Sequence, residues 1–279
     1  MPVRFAIKIA YIGKEYQGFQ RQTESIKTVE GTILDTLTEL EIINNVSESR
    51  YSAAGRTDKG VNAISQVIAF DSLKDEIYLE EINDIFPKDI YAWAKAEVKE
   101  NFHPRRDALL RTYRLYHYYF NEDLKLMTKA MKKLKGTHDF AKLCKKPDGL
   151  LDGSPKSTVL TLETAKFNLQ NNLLEFEFSS RSFLWNQVRK MVSVILDIGA
   201  GKYPPEIIDE ILNPPSSQPK GGIKPVPPDG LVLYDVYYKN IEFIPITKMT
   251  SFETRLREKL NFYSSTSAVL KLIKDTLTK

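Results

Sequence analysis

Apolar and polar residues alternate with a period of two at the start of the chain. Val3, Phe5, Ile7, Ile9 and Tyr11 fall on one face and Arg4, Ala6, Lys8 and Ala10 on the other. That pattern predicts a half-buried strand over residues 3–12. A polar loop follows over residues 13–25. The period then lengthens: Val29, Ile33, Leu37 and Leu40 line one stripe, which predicts a helix with Thr28 as its cap. The run Gln66–Phe70 reads as a strand. Leu79, Ile82 and Phe86 predict a short helix ended by Pro87, and Ile90, Ala92, Ala94, Ala96 and Val98 alternate again as a strand.

The second half repeats this order of elements without visible sequence identity to the first. Residues 113–120 form an aromatic strand. Residues 125–135 predict a helix with Leu126, Ala130, Met131 and Leu134 on its apolar side, while Lys125, Lys129, Lys132, Lys133 and Lys135 face elsewhere. Strands over 158–168 and 173–179 meet at Asn171-Asn172. Residues 183–198 make the most apolar helix, stopped by Gly199 and Gly201. Pro204 or Pro205 starts a short helix through Leu212, and 231–238 is a last strand. Residues 214–228 are a loop by composition. Val269, Leu270, Ile273 and Leu277 predict a C-terminal amphipathic helix, for which packing on the body of the protein is the simpler expectation.

Composition narrows this picture. With 279 residues, 42% hydrophobic and 27% charged, the chain is long enough for one large domain or two smaller ones. Forty Lys and Arg against 36 Asp and Glu leave a formal charge of +4, which permits nucleic-acid binding without requiring it. The single cysteine, Cys144, has no internal partner for a disulfide, and the charged residues of the N-terminal run do not read as a signal peptide. The most apolar run, Met191 to Gly201, is too short to span a bilayer. Together these features predict a cytoplasmic protein with no membrane partner.

The chemistry concentrates between Gly55 and Gly60. Here Arg56, Thr57, Asp58 and Lys59 put a guanidinium, a hydroxyl, a carboxylate and an ammonium on one short loop before a strand. Glycines at both ends permit positive φ or a close backbone approach, so the loop can hold one acid in a fixed place. A charged surface turn accounts for the same residue types.

Five stretches extend the signal. They are Tyr16 to Gln22, Gly55-Arg56-Thr57-Asp58-Lys59-Gly60-Val61 with the Gln66-Val67 strand, Phe102 to Arg105, Arg111 to Arg114, and Phe183 to Arg189. In this order over roughly residues 3–238, they resemble the TruA family of tRNA pseudouridine synthases. Asn62 stands where that family usually carries His. The resemblance implies an α+β fold of two pseudo-symmetric ferredoxin-like halves, forming a mixed, largely antiparallel sheet with a central RNA-binding cleft. The halves are residues 1–105 and 106–240, with 241–279 as an extension. It also implies a homodimer, and uridines in the anticodon stem-loop, about positions 38–40, as targets that must leave their stack.

Carried over, the resemblance makes Asp58 the catalytic acid and Arg189 its partner cation. Arg189 lies on an otherwise apolar helix, and a carboxylate in a dry pocket needs such a partner. Tyr113 becomes the aromatic face that holds the base while it turns. By its place beside Asp58 rather than by the resemblance, Arg56 is a candidate to fill the vacated stack or grip its phosphate, and a loop-stabilising bond to a carbonyl accounts for it equally well. Lys129, Lys132 and Lys133, with Lys142, Lys145 and Lys146 and with Arg21, Arg105, Arg106 and Arg111, form the expected phosphate track. Isomerisation of uridine involves no redox step or phosphate transfer, so no cofactor and no metal are expected.

Competing chemistries find less support. Gly199-Ala200-Gly201-Lys202 mimics the end of a phosphate loop, but Leu196 replaces the earlier glycine, Tyr203 replaces Ser or Thr, and the run ends a helix. His103, His117 and His138 lack metal-ligand spacing. A non-catalytic RNA-binding or chaperone module remains as an alternative, although such a module gains nothing from an acid facing phosphates.

Overall fold

The chain builds two βαββαβ units whose sheets meet edge to edge. The computed structural model describes residues 2–23, 25–145, 157–213, 222–246 and 251–277. The first unit runs β1 (Val3–Tyr11), α1 (Val29–Glu39), β2 (Ser52–Ala53), β3 (Asn62–Ser72), α2 (Leu79–Ile85) and β4 (Ile90–Glu97). The second runs β5 (Leu110–Tyr118), α3 (Leu124–Leu134), the short β6 (Gly136–Asp139), β7 (Val159–Gln170), β8 (Leu173–Ser180), α4 (Gln187–Gly199), α5 (Ile207–Leu212) and β9 (Leu231–Tyr237). A two-residue β10 (Ile244–Pro245) and α6 (Ser251–Leu277) complete the chain.

The strand order is β10-β4-β1-β3-β9-β5-β8-β7-β6, with β2 paired to β3. With β6 set aside as an added edge strand of the second unit, each unit orders its strands fourth, first, third, second, and the expected pair of ferredoxin-like halves is present. The seam is the parallel pairing of β3 with β9 at Asn62↔Val232 and Ala63↔Leu233. The other described strand pairs are antiparallel. One core gathers Phe5, Ile7, Ile33, Leu37 and Phe70 beneath α1 and α2, and the other gathers Leu115, Met131, Phe176, Phe178 and Ile195 beneath α3 and α4. Tyr113 packs against both, so the middle of the sheet is where the halves are stitched.

Several expected elements hold. Thr28 caps α1 by accepting from the Gly31 N–H, and Asn171 and Asn172 take φ of 51° and 60° at the β7–β8 turn. Two adjacent left-handed residues suit a two-residue hairpin.

Others need correction. β1 is buried on both faces rather than one, because later chain segments cover its polar side. Ala10 packs with Tyr91 and Phe252, and Lys8 Nζ lies over Trp93 and Phe243 while pairing with Asp235 at 3.0 Å. The aromatic strand spans 110–118 rather than 113–120. The apolar helix begins at Gln187 rather than at 183, because Asn186 at its N-cap is left-handed, with φ of 63°. The short helix α5 likewise starts at Ile207, past both prolines.

The largest departure is at the C-terminus. Helix α6 forms; Phe252 and Leu256 of its first turns pack on the body, and beyond them Tyr263 meets Lys14 and Lys274 lies over Phe120. Val269, Leu270, Ile273 and Leu277 are exposed, so packing on the body does not account for them. Of the loop expected over 214–228, residues 214–221 lie outside the described residues, as does Lys146.

Candidate active site

The loop carrying Asp58 is fixed from several sides by backbone groups. Thr57 O accepts from the Phe19 N–H at 3.0 Å, Asp58 O from the Val61 N–H at 3.1 Å, and Gly55 O from the Gln66 amide at 2.9 Å. The Thr57 hydroxyl hydrogen-bonds buried Tyr11 at 2.8 Å. Gly60 sits at φ +80°, the left-handed turn that glycine tolerates, whereas Gly55 is not left-handed. Gly13 allows a closer approach: a Cβ there would lie 2.0 Å from Val61 O. Asn62 then ties the loop to the other half. Its amide donates to the carbonyls of Asp229 and Leu231, and its oxygen accepts from the Gly13 N–H. The departure from His at this position therefore keeps a latch across the seam.

Asp58 projects from this loop toward α4 of the other half. Its side chain is 32% exposed, so the carboxylate is part-open rather than dry. Arg189 Nη1 stands 3.8 Å from Asp58 Oδ2. The Arg189 guanidinium is held by Nε donating to Val226 O at 2.7 Å and Nη1 to Asn186 Oδ1 at 3.0 Å. Burial pushes the Asp58 carboxyl above the usual aspartate range, while Arg189, a hydrogen bond from Trp185 and the Lys145 charge pull it back down. Burial lowers the Arg189 guanidinium, and the charges of Asp58 and Asp229 oppose that.

Tyr113, on β5, is part of the same cluster. Its ring meets Phe183 edge to face, with centroids 5.1 Å apart. Burial, with Asp58 adding to it and Arg111 opposing it, pushes the Tyr113 hydroxyl up to about 12. The geometry thus brings Asp58, Arg189 and Tyr113 together from three distant stretches of sequence.

The basic residues divide into three groups. Arg56 and Arg21 are exposed, and both act on Glu30 at the start of α1, whose side chain also accepts from the Arg21 N–H. Arg105 is exposed. Lys129 and Lys132 are exposed on α3, and Lys133 pairs with Asp209 at 2.5 Å.

Arg111 is a correction. It is 7% exposed, and its guanidinium donates to the carbonyls of Ala54, Arg105 and Arg181. It clamps the root of the Asp58 loop to β8 and cannot meet a phosphate from there. A basic residue between strand residues looks the same in sequence whether it points out or in.

Trp185 joins the site without a periodic signal to reveal it, and Lys145, expected on the phosphate track, acts there as a charge on Asp58. Trp185 is 46% exposed although it stands among apolar neighbours. The one legible hint is Asn186, a residue type that tolerates the left-handed conformation, placed just before an apolar helix. Among the described residues there is no cluster of three or more His, Cys, Asp or Glu able to hold a metal, and no helix long and apolar enough to cross a membrane.

Comparison with known proteins places this arrangement in a family. Residues 130–239 match the family model described as tRNA pseudouridine synthase. A tRNA pseudouridine synthase A of Archaeoglobus fulgidus is 35% identical over 275 residues, covering 98% of each chain. That of Methanosarcina acetivorans is 39% identical over 247 residues, 87% of each chain. A tRNA pseudouridine(38/39) synthase of Bos taurus is 34% identical over 289 residues, which is 91% of this chain and 60% of that protein. Similarity at this level runs through both halves and across the seam where Asp58 faces Arg189, and on that ground the chain belongs to the tRNA pseudouridine synthase family.

Proposed function

We propose that this protein isomerises uridine to pseudouridine in the anticodon stem-loop of tRNA, with Asp58 as the reacting carboxylate and without a cofactor. The reaction breaks the N1–C1′ bond, turns the uracil and joins C5 to C1′. The C5 proton leaves and N1 gains one, so the product is an isomer. Asp58 serves either as a nucleophile or as a base at the ribose C2′. The observation that carries this reading is a part-open carboxylate held between the halves, with Arg189 and Lys145 as opposing charges. Tyr113, part-buried beside it, is the surface against which the detached base is retained. In this reading exposed Arg56 and Arg21 hold the flipped nucleotide and its phosphates, and exposed Arg105, Lys129 and Lys132 track the backbone. The bovine relative's name, with positions 38 and 39, supports the anticodon arm as target.

The same reading includes action in the cytoplasm and a homodimer. The unpartnered apolar stripe of α6 supports the dimer, and the mass in solution tests it. Mapping pseudouridines in unmodified tRNA after incubation with the purified protein tests the activity. Pseudouridine in the anticodon arm is expected, and its absence from every tRNA tried overturns the reading.

A further inference from the structure

The residue before Asp58 is fixed twice over. Thr57 O accepts from the Phe19 N–H at 3.0 Å, and the Thr57 hydroxyl meets the Tyr11 hydroxyl at 2.8 Å. Tyr11 and Thr57 are both buried. Neither hydroxyl is needed to fill the core, since Phe and Val offer nearly the same volumes. What a buried hydroxyl pair adds to packing is direction, because a hydrogen bond holds only over a narrow range of distance and angle. Thr57 is β-branched and stiff at χ1, so holding its hydroxyl also holds the backbone that carries it.

We propose that Tyr11 is a positioning residue for the reaction, acting through the Thr57 hydroxyl to set where the Asp58 carboxylate stands. This deepens the reading of Asp58 as the reacting group and rests on it. Tyr11 ends β1, where the pairing with β3 shifts register between Ile9 and Tyr11. Such irregularities re-aim a side chain. Gln66, the β3 partner of Ile9, is buried too, and its amide donates to Gly55 O at 2.9 Å. Two buried polar side chains from neighbouring strands thus hold the catalytic loop, one at Gly55 and one at Thr57. Gly18 leaves that stretch little slack. Its φ is +111°, and a Cβ there would lie 3.2 Å from Thr57 O and 3.4 Å from the Lys59 backbone nitrogen. Arg189 cannot replace this support, because it meets the carboxylate only at 3.8 Å, too far to fix its direction. Burial pushes the Tyr11 hydroxyl up, so it stays an O–H and the pair orients without giving up a proton.

A double-mutant cycle on the full-length protein tests this. Tyr11→Phe and Thr57→Val each remove one hydroxyl and nearly keep the volume. Either change should lower kcat by roughly 10–100-fold, the scale of a misplacement of about 1 Å, with KM for tRNA nearly unchanged. The double variant should be no slower than the slower single variant, because both remove the same bond. Thr57→Ser keeps the hydroxyl and should keep most of the rate. Additive losses, a Thr57→Ser variant as slow as Thr57→Val, or wild-type kcat in Tyr11→Phe overturns the proposal.

Hydrogen exchange gives a readout that does not depend on activity. The Phe19 and Val61 amides donate to Thr57 O and Asp58 O, and both should exchange faster in Tyr11→Phe and in Thr57→Val. The β1–β3 pairing from Phe5 to Ile7 should keep its protection. Unchanged exchange at those two amides, or protection lost throughout β1, overturns a local positioning role. Activity surviving in Asp58→Asn would instead overturn the functional reading, and exchange at Phe19 and Val61 would still decide whether Tyr11 holds the loop.

Discussion

Arg189 Nη1 lies 3.8 Å from Asp58 Oδ2, beyond hydrogen-bond reach but close enough for its charge to act. The guanidinium is anchored by two of its nitrogens, to Val226 O and Asn186 Oδ1, so its position is set by α4 and not by the aspartate. Asp58 therefore meets a charge fixed in advance, as electrostatic preorganisation requires.

Arg189→Ala is expected to lower kcat by on the order of 10²–10⁴-fold while tRNA affinity stays within a few-fold. Burial already holds the Asp58 carboxyl above its usual range, and Arg189 pulls it down. Its removal therefore moves the acid limb of the pH–rate profile to higher pH. Arg189→Lys should fail as well, because one ammonium cannot serve Val226, Asn186 and Asp58 from a planar fork. A wild-type pH–rate profile for Arg189→Ala would take Arg189 out of the site.

Arg111→Ala should cost stability rather than RNA affinity. It leaves the carbonyls of Ala54, Arg105 and Arg181 without their guanidinium partner. Buried polar groups left unpaired cost about 1–3 kcal/mol each, so a loss of roughly 3 kcal/mol or more is expected. For a domain of this size that lowers Tm by about 10 °C. The slope of log affinity against log salt should not change. Arg105→Ala, at an exposed position, should do the reverse and flatten that slope by roughly 0.7–0.9.

The contrast between those two arginines shows where sequence stops being informative. Asn171-Asn172 located the β7–β8 turn, and periods of two and 3.6 located β1, α1 and α3, because burial imposes those periods locally. They could not show that β1 is covered on its second face, since Trp93, Phe243 and Phe252 arrive from remote segments. The resemblance located Asp58, Arg189 and Tyr113, and the fold brings all three together. Trp185 was hidden because its exposure depends on a single left-handed residue, Asn186, that no periodicity registers. The stripe on α6 was legible as a stripe, but what it packs against depends on tertiary contacts that periodicity does not encode.

Lys129, Lys132 and Lys133 test the phosphate track. Lys129→Ala and Lys132→Ala should each flatten the salt slope by roughly 0.7–0.9. Lys133→Ala should do less, because Asp209 already engages its ammonium at 2.5 Å. An unchanged slope in the triple variant, measured by tRNA titrations at several salt concentrations, would place the RNA on another face.

Asp58→Asn separates chemistry from structure at the centre of the site. The amide has the shape of the carboxylate, and the Val61 N–H bonds to the backbone oxygen of residue 58, so the loop is expected to keep its form. Stability should rise at neutral pH. Burial raises the Asp58 carboxyl in the folded state, so the native protein holds that proton more readily than the unfolded chain does. Wild-type stability therefore falls as pH climbs from the ordinary aspartate range through the raised folded value. The amide escapes that penalty. The Tm difference between variant and wild type should be near zero at acid pH, positive at neutral pH, and constant above the window. Binding of tRNA should hold or tighten, because a negative charge that repels phosphates is gone. Pseudouridine formation should be undetectable. If Asp58 were only a turn residue, Asn would serve nearly as well and activity would survive. Substantial pseudouridine from a well-folded Asp58→Asn protein, shown by mass spectrometry to be free of deamidation, would remove both the residue and the mechanism.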